Sequence, residues 1–283
     1  MNHTIQTAAQ AVELMDRHLR NELLIKNGKL QDKKLWEHTF IKHQIDRRNN
    51  GDTFSLSDHI RAMVYSLLSA GIVWDRLESE IDLATGKILS VDKVFGQYDS
   101  DYLLFCSPVK LRDEVKKLGC ASQYTMKQMK ALISVNIEKM LRIEKKYGNI
   151  DTYYQKFIDK DSSLKILIKQ LSDPTSEDKL SQMGEALTAE YLKNVGYDIA
   201  KPDRHIRRIL GSKILGCSES ETVPINESFD IVAEISTGLN KTKAEVDYIL
   251  WSYCASGFGE ICTVNKPKCE NCAIKNICKK TGV

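Results

Sequence analysis

Four cysteines crowd one end of the chain and restrict what that end can become. Cys262, Cys269, Cys272 and Cys278 are separated by six, two and five residues, and they are half of the 8 cysteines present. Thiolates are soft ligands that suit iron–sulfur clusters or zinc. The Cys269–Cys272 pair makes a tight turn on which two sulfurs point the same way, and Cys262 and Cys278 close the cage from either side. Zinc ribbons bring two Cys-x-x-Cys knuckles, and only one is present. Disulfides persist in oxidising compartments, and nothing marks the chain as secreted. On spacing alone, an iron–sulfur site fits best; zinc, and unliganded or disulfide-bonded thiols, stay open.

The remainder reads as helix. Ala8, Val12, Met15, Leu19 and Leu23 recur at steps of three and four, and a second helix is expected over 34–46. Residues 57–72 form a strong amphipathic pattern, with Ser57 as the cap, Asp58 at the positive end of the dipole, and Ile60, Met63, Val64, Leu67, Leu68 and Ile72 on one face. Pro108 starts another helix after Ser107, with Leu111, Val115 and Leu118 inward and Gly119 as its stop. Thr125 caps a longer run to Gly148, and shorter helices are expected over 152–157, 163–171, and on both sides of a turn at 180–184. A last helical block covers 228–256. No alternating strand pattern persists, so the class is all-α.

Charge and hydropathy narrow the partners. The net charge is only +3, but the cations cluster. Lys201, Arg204, His205, Arg207, Arg208 and Lys213 surround the single acid Asp203; Lys266, Lys268, Lys275, Lys279 and Lys280 surround the cysteines with Glu270. Such a surface suits phosphate, the plainer reading being a solvated basic face. No stretch approaches the ~18 apolar residues of a membrane span. The first residues lack a basic segment followed by an apolar one, so no signal peptide and a reducing cytosol are expected, with thiols intact.

Residues 180–208 carry the chemistry. A short helix, the turn Gln182-Met183-Gly184, and a helix from Glu185 to Asn194 make a helical hairpin whose second member presents backbone N–H groups able to hold phosphate. Pro202 fixes an extended entry, and Asp203 stands where the cap of a helix over 205–210 belongs. This unit, followed by the cysteine loop, resembles the endonuclease III-like helix-hairpin-helix DNA glycosylases, whose C-terminal loop holds a 4Fe–4S cluster. Leu67-Leu68-Ser69-Ala70 resembles the end of the family's second helix, and 118–137 its segment before the hairpin. The likeness spans roughly residues 50–280.

That resemblance implies a two-domain fold: a six-helix barrel over 51–199 and a discontinuous cluster domain from 1–50 and 200–283. It implies Asp203 as the catalytic carboxylate, Cys262, Cys269, Cys272 and Cys278 as cluster ligands, and contacts to DNA from Gln182, Gly184, Arg204, His205 and Lys268. Ser69, Gly71, Trp74 and Ala186 are its candidate base-pocket residues, with Tyr65 or Trp74 available to stack on a base, though core packing is the plainer role of each. The partner implied is double-stranded DNA with a damaged or modified base that leaves the stack, bound by a monomer in the cytoplasm, on the nucleoid in a bacterium.

Three departures refine this. Ser181 and Gln182 replace the family's Pro and Gly, so a looser turn is expected. Ala186 stands where bifunctional members carry a Schiff-base lysine, so a monofunctional glycosylase leaving an abasic site is expected. Leu67 occupies the position of the adenine-excising branch's acid, which disfavours adenine. A lyase using another amine, and a DNA binder without chemistry, are the alternatives. Oxidised pyrimidines are the family default, and the open Gly71 position also admits a bulky base such as a modified cytosine of viral DNA. Lys193 is expected to face DNA or solvent, His59 the surface, and Cys106, Cys120, Cys217 and Cys254 to be buried as small hydrophobes.

Overall fold

The computed structural model describes residues 3–69 and 80–279. Among these the architecture is helical: α1 (His3–His18), α2 (Phe40–Asn49), α3 (Leu56–Leu68), α4 (Leu89–Val94), α5 (Ser100–Phe105), α6 (Pro108–Lys117), α7 (Thr125–Ala131), α8 (Ile137–Tyr147), α9 (Ile150–Ile158), α10 (Lys165–Ser172), α11 (Glu185–Asn194), α12 (Arg204–Leu210), α13 (Ile225–Leu239) and α14 (Lys243–Cys254). One antiparallel hairpin, β1 (Ile25–Lys26) and β2 (Lys29–Leu30), pairs Ile25 with Leu30. It is too short to leave an alternating pattern. Two compact units result, one from the residues up to Thr39 and from Asp198 onward, the other Phe40–Tyr197. The second unit therefore includes α2, which the sequence reading grouped with the termini.

Local chemistry explains the boundaries. Ser55, not Ser57, caps α3: its hydroxyl accepts from the Asp58 N–H while the Asp58 carboxylate accepts from the Ser55 N–H, a reciprocal capping box. Asp99, Asn149 and Thr242 cap α5, α9 and α14. Thr125 opens α7 from inside, its Oγ1 accepting from the Ser122 N–H at 2.8 Å. Gly148, at φ +79°, ends α8 where other residues would strain. Asn240, also left-handed, splits the expected 228–256 block into α13 and α14. The expected helix over 34–46 begins only at Phe40, after two short 3-10 turns. Residues 173–184 are turns, so the first helix of the hairpin is α10 rather than a helix leading into Leu180.

In the first unit the core joins Ala8, Val12 and Met15 of α1 to Val232 and Ile235 of α13 and Ile249, Leu250 and Tyr253 of α14. In the second, α3 is buried all round rather than along one stripe: every residue from His59 to Leu68 is buried. Its polar members then need internal partners, since burying an unpaired polar group costs ~1–3 kcal/mol. His59 Nδ1 shares a 2.6 Å hydrogen bond with the Tyr191 hydroxyl, which meets Tyr154 at 3.0 Å. His59 Nε2 lies 3.5 Å from Asp151, and Asp151 also receives Arg48 and the Tyr197 hydroxyl. Tyr65 and Tyr98 both donate to Oδ1 of the buried Asp92 at 2.7 Å. So His59 is a core residue, not a surface one, and Tyr65 is held by Asp92.

Candidate active site

Asp203 sits at the head of α12, as its position after Pro202 implied. Its Oδ1 accepts from the His205 N–H at 2.8 Å and the Ile206 N–H at 3.1 Å. Oδ2 has no hydrogen-bond partner among the described residues, and the side chain is only half-buried. Ile206, Ile209 and Leu210 anchor α12 in the core of the first unit, so the carboxylate stands on a fixed helix with one oxygen open. The helix N-terminus also favours its negative charge. His205 is half-buried with Nδ1 unpartnered; burial lowers its pKa, Asp203 opposes this, and Arg208, Arg204 and Lys201 add to it. Arg204 and Lys268 are exposed cations.

The other end of α12 grips the cysteine loop. Arg208 donates through Nη1 to Cys262 Sγ at 3.4 Å, and through Nη2 to Cys254 Sγ at 3.5 Å and to the Cys262 carbonyl. The Tyr253 hydroxyl donates to Cys272 Sγ at 3.6 Å and accepts from the Ala273 N–H at 2.9 Å. Burial raises the Cys272 thiol, and a hydrogen bond with Cys262, then burial, raises Cys254 well above its ordinary range. Cys262, Cys272 and Cys278 pack on the core, Ile274 is buried between them in sequence, and Cys269 is exposed. The eight cysteines form no disulfide. Cys120 and Cys254 are buried and Cys106 and Cys217 partly so.

Among the described residues, no three His, Cys, Asp or Glu side chains converge where a single metal ion would sit. Zinc draws four ligands to one centre. Of the four spaced sulfurs, Cys262 meets Arg208 and Cys272 meets Tyr253, while Cys269 is exposed.

In the second unit the hairpin keeps its turn despite the altered residues. Gln182 adopts φ +62°, the left-handed conformation that a glycine takes more cheaply, and the Met183 N–H donates to the Leu180 carbonyl at 3.2 Å. The turn is thus formed rather than loosened. Side chains from elsewhere hold it. Asn136, fully buried, accepts from the Ser181 N–H at 2.7 Å and donates to the Ser181 carbonyl at 3.0 Å. Lys139 donates to the Glu177 and Lys179 carbonyls, and Lys179 to those of Ser172 and Met183. A π-helical turn over Leu132–Asn136 interrupts the ladder just before α8. Gly184, exposed, precedes α11 with open space where a side chain would stand, and no side chain caps that helix.

Ala186 lies in the first turn of α11. The Ser66 hydroxyl, one turn before Ser69, donates to the Leu187 carbonyl at 2.6 Å, tying α3 to α11. Ser69 ends α3, its hydroxyl donating to the Ser66 carbonyl. Gly71, Trp74 and Lys280 lie outside the described residues. Lys193 does not face solvent: it is 4% exposed and pairs with Glu190 at 2.9 Å. Asn136 and Lys139 escaped the sequence reading because nothing local marks a residue that braces a turn some 40 positions away, and Lys179 because nothing marks a lysine beside the turn as its brace. Arg208 was visible only as one cation among several.

No protein-family profile matches the chain, and no curated protein matches it. Among solved structures, it is similar to the 8-oxoguanine DNA glycosylase of Methanocaldococcus jannaschii, at 18% identity over 90% of this chain and 98% of that one, with a TM-score of 0.51. The fold is that of a DNA glycosylase. An 8-oxoguanine glycosylase/lyase of the same organism, in complex with a 15mer DNA containing 8-oxoguanine, superposes with a TM-score of 0.48 at 18% identity, over 86% of this chain and 96% of that one. No helix among the described residues is long and apolar enough to cross a membrane.

Proposed function

We propose that this protein is a monofunctional DNA N-glycosylase, hydrolysing the bond between deoxyribose and a damaged or modified base flipped from the duplex and leaving an abasic site. The observation that carries the reading is Asp203, with one carboxylate oxygen tied to the start of α12 and the other open. Breaking a glycosidic bond builds positive charge on the sugar, and a fixed carboxylate stabilises it without reorganising. The same open oxygen orients the water that attacks C1′. Flipping is required because the bond is shielded within the stack.

Ala186 and the buried Lys193–Glu190 pair support hydrolysis without strand cleavage, since neither offers an amine to form a Schiff base. The braced hairpin and the uncapped start of α11 suit a phosphate. Exposed Arg204 and Lys268 suit the DNA backbone as well. The cysteine loop is assigned to a 4Fe–4S cluster held by Cys262, Cys269, Cys272 and Cys278. When bound it braces the loop and its basic residues. The reaction itself runs through Asp203.

The test is mass spectrometry of bases released from duplexes carrying oxidised pyrimidines, 8-oxoguanine, alkylated bases or bulky modified cytosines. A released base, lost on Asp203→Asn, with no covalent adduct after borohydride, is the expected result. DNA binding without release from any duplex would make the protein a binding module; trapping on an excised substrate would make it a lyase.

A further inference from the structure

One surface element of the first unit has no role in the site assigned so far. Between Leu24 and Gln31 the chain doubles back as the ribbon of β1 and β2, and every residue from Ile25 to Leu30 is exposed. Asn27 at φ +53° and Gly28 at φ +72° form a two-residue turn of the I′ kind, which Asn-Gly favours because both positions are left-handed. A two-stranded ribbon is marginal by itself, and this one is fixed at its base. Leu24 is buried, and its carbonyl accepts from the Gln31 N–H at 2.7 Å. Just beyond, the buried Lys34 donates to the Gly257 carbonyl at 2.6 Å and stands over the Phe258 ring, while the Tyr248 hydroxyl donates to the Lys34 carbonyl at 2.9 Å.

The register decides what the ribbon presents. Ile25 pairs with Leu30, and Lys26 with Lys29. Successive side chains alternate between faces, so the two lysines share one face and the two apolar residues the other. Ile25 and Leu30 are 42% and 39% exposed, so their face is partly covered. Like charges directly opposite each other destabilise a strand pair. Neither Lys26 nor Lys29 has a carboxylate partner among the described residues to offset this. Residues 25–34 carry four lysines against one acid, Asp32. A turn that holds two unpaired ammonium groups side by side is complementary to a row of anions. The same lysines discourage another chain from adding to the open edge, which argues against a strand-pairing protein as the occupant.

We propose that this ribbon is a further DNA contact, with Lys26 and Lys29 each on a backbone phosphate of the duplex. Phosphate contacts position a protein on DNA without reading its sequence, so the ribbon holds undamaged duplex as well as the target. The inference rests on the reading of the chain as a protein that acts on DNA. It depends neither on the catalytic role of Asp203 nor on the cysteine loop.

The experiment titrates the full-length protein and two paired variants into a short, undamaged, fluorescent duplex over a series of salt concentrations, with far-UV circular dichroism on each preparation. The variants are Lys26→Gln/Lys29→Gln, which removes both charges, and Lys26→Arg/Lys29→Arg, which keeps them. Each phosphate neutralised contributes about 0.9 to the slope of log affinity against log salt. The glutamine pair is therefore expected to have a slope shallower by about 1.8, and an affinity at ~0.1 M salt lower by at least about tenfold. The arginine pair should keep the parent's slope. An unchanged slope and affinity in the glutamine pair, with its helical spectrum intact, overturns the ribbon contact alone and leaves the lysines as guards of an open strand edge. A parent that does not bind the duplex overturns it together with the glycosylase reading.

Discussion

Substituting Asp203 separates its capping role from the proposed catalytic one, because the cap uses Oδ1 and the proposal uses Oδ2. Oδ1 accepts both α12 N–H groups; Oδ2 is open. Asparagine keeps an Oδ1 acceptor and is as good a cap as aspartate. Asp203→Asn therefore loses only the charge at the helix N-terminus, about 0.3–1 kcal/mol. Asp203→Ala loses the acceptor as well, about 0.5–2 kcal/mol in all. Chemistry orders the variants differently. Both lack a negative charge to set against the cationic sugar, and one such preorganised interaction is worth about 2.7–4 kcal/mol, or roughly 10²–10³ in rate. Single-turnover base release and thermal melting on the same preparations read the two effects. The expected pattern is an equal, large loss of rate in both variants with a smaller loss of stability in Asp203→Asn. Release by Asp203→Asn within about tenfold of the parent would refute the electrostatic role, since removing a preorganised group of this kind costs more than that.

Other residues give independent checks. Burial alone would raise Asp151, but the hydrogen bond and charge of His59, then Arg48, outweigh it and hold the carboxyl down at about 2. Its folded pKa is below its unfolded value, so the stabilisation is complete above about pH 4 and disappears as pH falls toward 2, about 2–3 kcal/mol in size. Acid titration followed by circular dichroism should show this dependence in the parent and much less of it in Asp151→Asn. Asn136→Ala strips both partners from Ser181, at a cost of about 1–3 kcal/mol for groups left unpaired; DNA affinity should fall, and unchanged affinity would separate the hairpin from DNA. Ala186→Lys puts an amine in the first turn of α11 and should create borohydride-trappable adducts with abasic DNA. Lys193→Ala should leave trapping unchanged but destabilise the fold by about 3–5 kcal/mol, the effect of orphaning a buried partner.

The residues that could be read in advance act over short stretches of chain. Asp203 as a cap depends on Pro202 before it and two N–H groups just after it, and the cysteine loop is a spacing. The helices α6, α11 and α12 likewise follow from nearby prolines, glycines and a 3.6-residue period. His59 and Lys193 were misjudged for the opposite reason. Each is polar, and only packing reveals that Tyr191 and Asp151 receive His59, and that Lys193, though its partner Glu190 lies just three residues away, is buried.

The hairpin shows the division most clearly. Its sequence alone, Ser181-Gln182 in place of Pro and Gly, implies a weakened turn. In three dimensions Gln182 accepts the strained left-handed conformation because Asn136, Lys139 and Lys179 hold the surrounding carbonyls and N–H groups. Hydrogen bonds between near neighbours are set by residue order, which is why the all-α class, the capping aspartate and the thiol spacing were legible. Bonds between residues far apart in the chain exist only once the helices have packed, and those decided which polar groups are buried and which turn survives.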